Sequence, residues 1–133
     1  YTARGRHDAC FLGWSTDNAA PDNVAYVLLP PQVDEGELSD GQDWVSCDAE
    51  GYNTSNRASW ANQEYMDLVE EAQRTTAESD RAALYNEAMR IAHDEAPWVY
   101  LDYAEELRGV ADRVSGFQIA AISGPYLNLV SLE

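Results

Sequence analysis

Lysine is absent from this chain, and basic side chains of any kind are few. The 133 residues contain eight arginines against 24 acidic residues, which gives a formal net charge of −16. A surface of this sign repels nucleic-acid phosphates and anionic lipid headgroups. The composition therefore argues against nucleic acid or a membrane surface as a partner.

Long apolar runs are missing as well. No segment approaches the ~18–20 apolar residues that a membrane-spanning helix needs, so no direct insertion into a membrane is expected. The chain has no signal peptide and opens on Tyr1 instead of a methionine. We therefore expect Tyr1 to lie inside a longer protein, whose preceding part would carry any targeting signal. The 45% share of apolar residues is enough for the core of one ordinary domain.

The motifs of the common enzyme classes are also absent. There is no Gly-rich phosphate loop, no G-x-S-x-G turn and no zinc-binding H-E-x-x-H helix. The only histidines are His7, near the start, and His93, late in a predicted helix where a cation favours the dipole. The sequence predicts that the chain is not an enzyme. The alternative is a secreted hydrolase that uses the carboxylates of Asp17 and Asp22 as an acid–base pair.

Cysteine occurs only twice, as Cys10 and Cys47. A bridge between them would be permitted outside the cytosol, and closing a loop of that length would contribute ~3–4 kcal/mol in the chain-entropy model. In the other interpretation, Cys10 is a small buried apolar residue and Cys47 pairs with nothing. The sequence leaves both interpretations open.

The stretch from Gln32 to Asn56 is rich in Asp, Glu and Gly. A segment of this length and composition is typical of a solvated loop. Carboxylate oxygens are also ligands for calcium, but the spacing matches no EF-hand loop. The sequence therefore predicts no metal site.

Apolar spacing and breaker residues predict an α/β chain. Asn62 can cap a helix that runs to about Arg74, and Ser79 or Thr76 can cap a second helix that runs to about Asp94. The remaining predictions are a strand at 10–14, a helix from Pro21 to Pro30, a strand at 98–103, and extended pieces at 107–114, 117–122 and 126–130.

One segment carries a recognisable signature. The residues Gly13-Trp-Ser-Thr-Asp-Asn-Ala-Ala-Pro-Asp-Asn23 resemble the G-W-x-x-D-x-x-x-P-x-N signature of peptide-type (family 5) ABC solute-binding proteins. The likeness continues in order through 53–60, 64–72, 80–85, 94–97, 110–117 and 126–132. Within the family, the sequence looks most similar to dipeptide-binding proteins.

The resemblance implies a two-lobed clamp of the type II periplasmic-binding-protein fold, with a mixed sheet and flanking helices. The chain would be its C-terminal portion, with residues 1–115 in the larger ligand-binding lobe and 116–133 returning towards the other lobe. The implied function is to bind a small peptide outside the cytoplasm, in the periplasm or the extracellular space, with or without a lipid anchor. The implied partners are that ligand and the ABC permease. A ligand sensor built on the same clamp is a further alternative.

The resemblance also implies a binding site on the loop that follows the first strand. Asp17 would accept the ligand ammonium, because a charge enclosed in a dry cleft needs an ionised partner. Trp14 would lay its ring against the ligand, and Ser15 and Thr16 would add backbone or hydroxyl contacts. No cofactor is implied. Phe11 stands where binders of longer peptides carry Arg, and the family also takes nickel chelates, haem and oligosaccharides, so the ligand class stays open.

Each of these side chains also has an interpretation that requires no ligand. Asp17 could be a turn residue that bonds its own backbone, and Trp14 could pack in the core. Trp60 and Trp98 are assigned to packing.

Overall fold

The computed structural model describes residues 7–30, 42–46, 48–50, 52–102, 105, 107–120 and 124–132. The chain forms two compact units: one comprises Tyr1–Leu12 with Ala20–Val99, and the other comprises Gly13–Ala19 with Tyr100–Glu133. The first contains helices α1 (Asp22–Ala25), α2 (Gln63–Arg74) and α3 (Glu78–Glu95). The second contains strands β1 (Val114–Ser115) and β2 (Ser131–Leu132), with a 3-10 turn at Leu127–Leu129.

Helix α2 begins and ends where the sequence predicts. The side-chain oxygen of Asn62, whose backbone is extended, accepts a hydrogen bond from the backbone N–H of Tyr65 at 2.9 Å, which satisfies a donor of the first turn. Tyr65, Val69 and Ala72 recur at spacings of four and three, and all three are fully buried. The capping prediction and the helix end at Arg74 are confirmed.

Helix α3 packs against α2 through small side chains. Its buried residues are Tyr85, Ala88 and Ala92, and the two alanines have no exposed surface. The prediction that Ser79 or Thr76 caps this helix is wrong. Ala77 precedes the helix without a side-chain cap, and Ser79 lies within the first turn. The acidic side chains there favour the positive end of the helix dipole in place of a cap.

The end of α3 is defined by one backbone conformation. Ala96 has φ +51° and ψ +49°, and its N–H donates to the carbonyl of Ala92 at 3.1 Å. This left-handed residue closes the last turn, and Pro97 follows it, as predicted. The core of the first unit comprises Ala25, Leu29, Trp60, Tyr65, Val69, Ala72, Tyr85, Ala88 and Ala92, with Trp98 packed against it. The packing roles predicted for Trp60 and Trp98 are confirmed.

Helix α1 is shorter than predicted. Pro21 is its N-cap residue, with φ −56°, and regular helix ends at Ala25, followed by turns up to Leu28. Leu28 and Leu29 are buried behind it. A four-residue helix is too short to be stable alone, so its position depends on side chains from elsewhere in the unit.

The strands predicted at 10–14 and 98–103 are wrong for the residues that the structure describes. Phe11 is 81% exposed and Val99 80% exposed, and neither segment pairs with a strand within the described part of the chain. An extended segment without a ladder partner has no backbone bonds to hold it in a sheet. Cys10 is exposed, which contradicts the interpretation in which it is a small buried residue. Cys47 and Tyr103 lie outside the described residues.

The C-terminal residues form one short antiparallel pair. Val114 lies opposite Leu132 and Ser115 opposite Ser131, whose hydroxyls are 2.7 Å apart. The extended piece predicted at 126–130 is wrong, because Leu127–Leu129 form a 3-10 turn. Residues 107–113 and 117–120 are not strands either. Gly116 directly follows β1 and has φ +75°.

Candidate ligand-binding site

The four predicted site residues lie next to one another on the loop Gly13–Ala19, which has no regular helix or strand. Trp14 is 49% exposed. Ser15 and Asp17 are exposed and Thr16 is half-buried. Trp14 and Asp17 each have an interaction with other groups of the chain. The exposure of Trp14 speaks against the alternative in which it packs in the core.

Immediately after this loop, the chain is fastened by side chains that sequence reasoning missed. The hydroxyl of Tyr85 donates a hydrogen bond to Oδ1 of Asp22, and Nε2 of Gln73 lies 3.5 Å from the same oxygen. The hydroxyl of Tyr65 donates to the carbonyl of Ala25 at 2.7 Å. These contacts fix the first and last residues of α1 to the helix pair α2–α3.

The segment beyond α1 is held in the same manner. Nδ2 of Asn53 donates to the carbonyls of Val27, at 2.7 Å, and Pro30, at 3.1 Å. One amide thus bridges two carbonyls that lie three positions apart in the turn that leads out of the helix. The only sequence signal for this role is that Asn53 opens one of the segments that resemble the family.

The hydrogen bond between Tyr85 and Asp22 affects the ionisation of the tyrosine. Burial, the hydrogen bond to Asp22 and its negative charge together raise the pKa of Tyr85 to about 12. The Tyr85 hydroxyl therefore stays protonated and donates to the carboxylate at any physiological pH. Asp22 has a structural partner, which gives no support to the alternative of acid–base work.

A second carboxylate, that of Glu95 at the end of α3, binds two side chains of the segment that precedes α2. Its Oε2 accepts from Nε1 of Trp60 at 2.7 Å, and its Oε1 accepts from Nδ2 of Asn62 at 2.6 Å. The Trp60 ring packs edge-to-face on Tyr65, with centroids 4.9 Å apart.

Within the described ranges, no group of three or more His, Cys, Asp or Glu side chains could hold a metal. No helix in these ranges has the length and apolar character to cross a bilayer.

Comparison with known proteins gives the chain its relatives. It is 29% identical over 133 residues to di/tripeptide-binding protein 2 of Pseudomonas aeruginosa, covering 99% of this chain and 22% of that protein. It is 26% identical over 129 residues to the dipeptide-binding protein of Escherichia coli, covering 97% and 21%. The resemblance to peptide-binding proteins is confirmed. Heme-binding protein A of Haemophilus influenzae is 32% identical over 113 residues, covering 85% and 17%.

The chain spans about a fifth of the length of the curated relatives it matches. This share agrees with the prediction that it corresponds to one part of such a protein. No protein-family model matches the chain, and no solved structure matches it at a significant level.

Proposed function

We propose that this chain is the C-terminal portion of a solute-binding protein of an ABC importer, and that the protein binds a small peptide. The observation that carries the proposal is the similarity to di- and tripeptide-binding proteins along almost the entire chain. The exposed loop that carries Trp14 and Asp17 supports it, because these side chains suit an ammonium ligand.

The proposed architecture is a two-lobed α/β clamp of the type II periplasmic-binding-protein fold. Residues 1–115 would belong to the larger lobe, and 116–133 would return towards the other lobe. The protein would work in the periplasm or outside the cell and deliver its ligand to the permease. Closure needs only that the ligand binds the closed form more tightly than the open form.

The proposed recognition chemistry begins at Asp17. A peptide presents an ammonium group, and enclosing that charge is costly unless an ionised acceptor meets it. The carboxylate of Asp17 is that acceptor, and the half-exposed ring of Trp14 supplies apolar area and a cation–π face. Ser15 and Thr16 add hydrogen bonds from their hydroxyls or backbone. No catalytic step is part of the proposal.

The test replaces Asp17 by Asn in the full-length protein, which keeps the shape and removes the charge. Losing one partner of an enclosed charged pair costs ~2–5 kcal/mol, so affinity for L-Ala-L-Phe should fall by a factor on the order of 30 to 5,000. Asp112→Asn is the matched control, since Asp112 is an exposed turn residue with the same charge. Isothermal titration calorimetry measures both variants.

The acetylated ligand N-acetyl-L-Ala-L-Phe tests whether the Asp17 carboxylate pairs with the ligand amine. It should bind the wild type poorly, and Asp17→Asn should add little further loss, because both changes break the same pair. If the acetylated and free peptides bind equally well, Asp17 is a turn residue and the proposed recognition chemistry is wrong.

Haem is a second candidate ligand, because the relative with 32% identity is a heme-binding protein. Titration with haemin under the same conditions separates the two. If the protein binds haemin tightly and binds no member of a dipeptide panel, haem replaces a peptide as the proposed ligand.

A further inference from the structure

The segment that follows the candidate loop is held by a contact between two side chains far apart in sequence. Asp22 begins α1, three residues after Ala19, and Tyr85 lies in the middle of α3. The Tyr85 hydroxyl donates to the Asp22 carboxylate, and the Tyr85 side chain is buried, with 6% of the residue exposed. We propose that Asp22 and Tyr85 are positioning residues that fix the C-terminal end of the loop Gly13–Ala19 for ligand binding.

The first reason is that α1 cannot hold its own position. It has four residues, whereas isolated helices shorter than ~12–15 residues are marginal in water. Its local bonds, from Asn23 N–H to the Ala20 carbonyl at 3.2 Å and from Ala25 N–H to the Pro21 carbonyl at 2.9 Å, define its shape only. Side chains of α2 and α3 attach it to the rest of the unit.

The second reason is the kind of bond at its first residue. A hydrogen bond to an ionised carboxylate is roughly twice as strong as a neutral one, and a buried phenol that lost it would be left without an acceptor. The bond joins residues 63 positions apart, so it ties the start of α1 to the core helix α3. The weaker contact from Gln73 of α2 lies on the same carboxylate oxygen.

The third reason is covalent continuity. Only Ala20 and Pro21 separate Ala19 from Asp22, and the ring of Pro21 restricts φ. An anchored Asp22 therefore leaves the end of the loop few conformations. Ordering a loop before binding removes a cost that would otherwise reduce affinity. This inference rests on the proposed function, since it assigns a role within the same site.

The experiment uses the full-length protein with Tyr85→Phe, Asp22→Ala and Asp22→Asn. Tyr85→Phe removes only the hydroxyl and keeps the buried ring. Asp22→Asn keeps an acceptor for that hydroxyl, so it should retain most of the function that Asp22→Ala loses. Asn62→Ala is the control, because it removes a helix cap in the same unit without a hydrogen bond to α1.

Two measurements are made on each variant. Amide hydrogen exchange without ligand reports on the backbone of Asn23–Tyr26 and of 14–18, and calorimetry with L-Ala-L-Phe reports on affinity. Tyr85→Phe and Asp22→Ala should speed exchange in both segments and weaken binding, each by about tenfold or more, as losing one bond to a charged group implies. The double variant should lose little more than either single one. Asn62→Ala should leave both segments and the affinity unchanged.

The two proposals fail in different ways. If the wild type binds L-Ala-L-Phe, and Tyr85→Phe lowers stability without changing affinity or loop exchange, Tyr85 is merely structural and the positioning role is refuted. If the wild type binds no peptide at all, the proposed function fails, and exchange at 14–18 then decides only whether Asp22 and Tyr85 order the loop. Equal loss of affinity in Asn62→Ala would also overturn it, because the effect would then be one of general stability.

Discussion

The buried hydroxyl of Tyr65 offers the sharpest test of how the first unit is held together. Tyr65 has no exposed surface, and its hydroxyl donates at 2.7 Å to the carbonyl of Ala25, which is itself 1% exposed. Tyr65→Phe keeps the ring and its edge-to-face contact with Trp60, but it leaves that carbonyl without a donor. An unsatisfied buried polar group costs about 1–3 kcal/mol, so we expect the free energy of unfolding to fall by that amount.

Urea denaturation followed by tryptophan fluorescence measures this loss, and the denaturant slope should not change because the fold is kept. Tyr126→Phe is the matched control. Tyr126 is 53% exposed, and removing an exposed hydroxyl should change stability by no more than about 0.5 kcal/mol. A loss of less than about 0.5 kcal/mol in Tyr65→Phe would show that the Tyr65–Ala25 bond does not hold α1 in place.

Three further predictions follow from side chains and backbone already described. Ala96→Gly should raise the free energy of unfolding by up to about 1 kcal/mol in thermal denaturation, since glycine adopts φ +51° without strain. Glu95→Gln should lower it by about 1–3 kcal/mol, because one amide N–H₂ must then face the Trp60 or Asn62 donor; an unchanged urea midpoint would contradict this. Burial, with the hydrogen bond to Asp22, raises the pKa of Tyr85 to about 12. The free energy of unfolding should therefore be unaffected by this group below pH ~10 and fall as pH rises from ~10 through about 12, because the unfolded chain loses this proton first. Alkaline unfolding should accordingly be shallower in Tyr85→Phe.

The helix pair could be predicted because its signals are local. Asn62 supplies a cap, Pro97 a stop, and the apolar residues between them repeat at helical spacing, so no distant part of the chain is needed. The cap of α3 was predicted wrongly for the same reason. A serine at position 79 looks like a cap, but the helix had already begun one residue before it.

The strands could not be predicted in this way. The apolar run that includes Phe11 has the composition of a buried strand, yet a strand exists only where a partner forms its ladder, and composition does not reveal the partner. The same distinction between local and distant signals applies to the candidate site. Trp14 and Asp17 could be proposed as ligand-binding residues because the motif that contains them is contiguous. The bond between Asp22 and Tyr85 joins residues 63 positions apart and leaves no pattern in either neighbourhood.

Gly116 and Gly13 differ in whether the structure would accept a larger residue at that position. At Gly116 the backbone has φ +75°, and even the single carbon of alanine would overlap the carbonyl oxygen of Leu129, so the close crossing of β1 and the 3-10 turn leaves room for a hydrogen atom only. Gly13 opens the segment that resembles the family signature, and among the described residues no atom lies within 4 Å of where its Cβ would stand. The fold therefore excludes any residue larger than glycine at position 116 in related sequences. At Gly13 no described neighbour imposes such a limit.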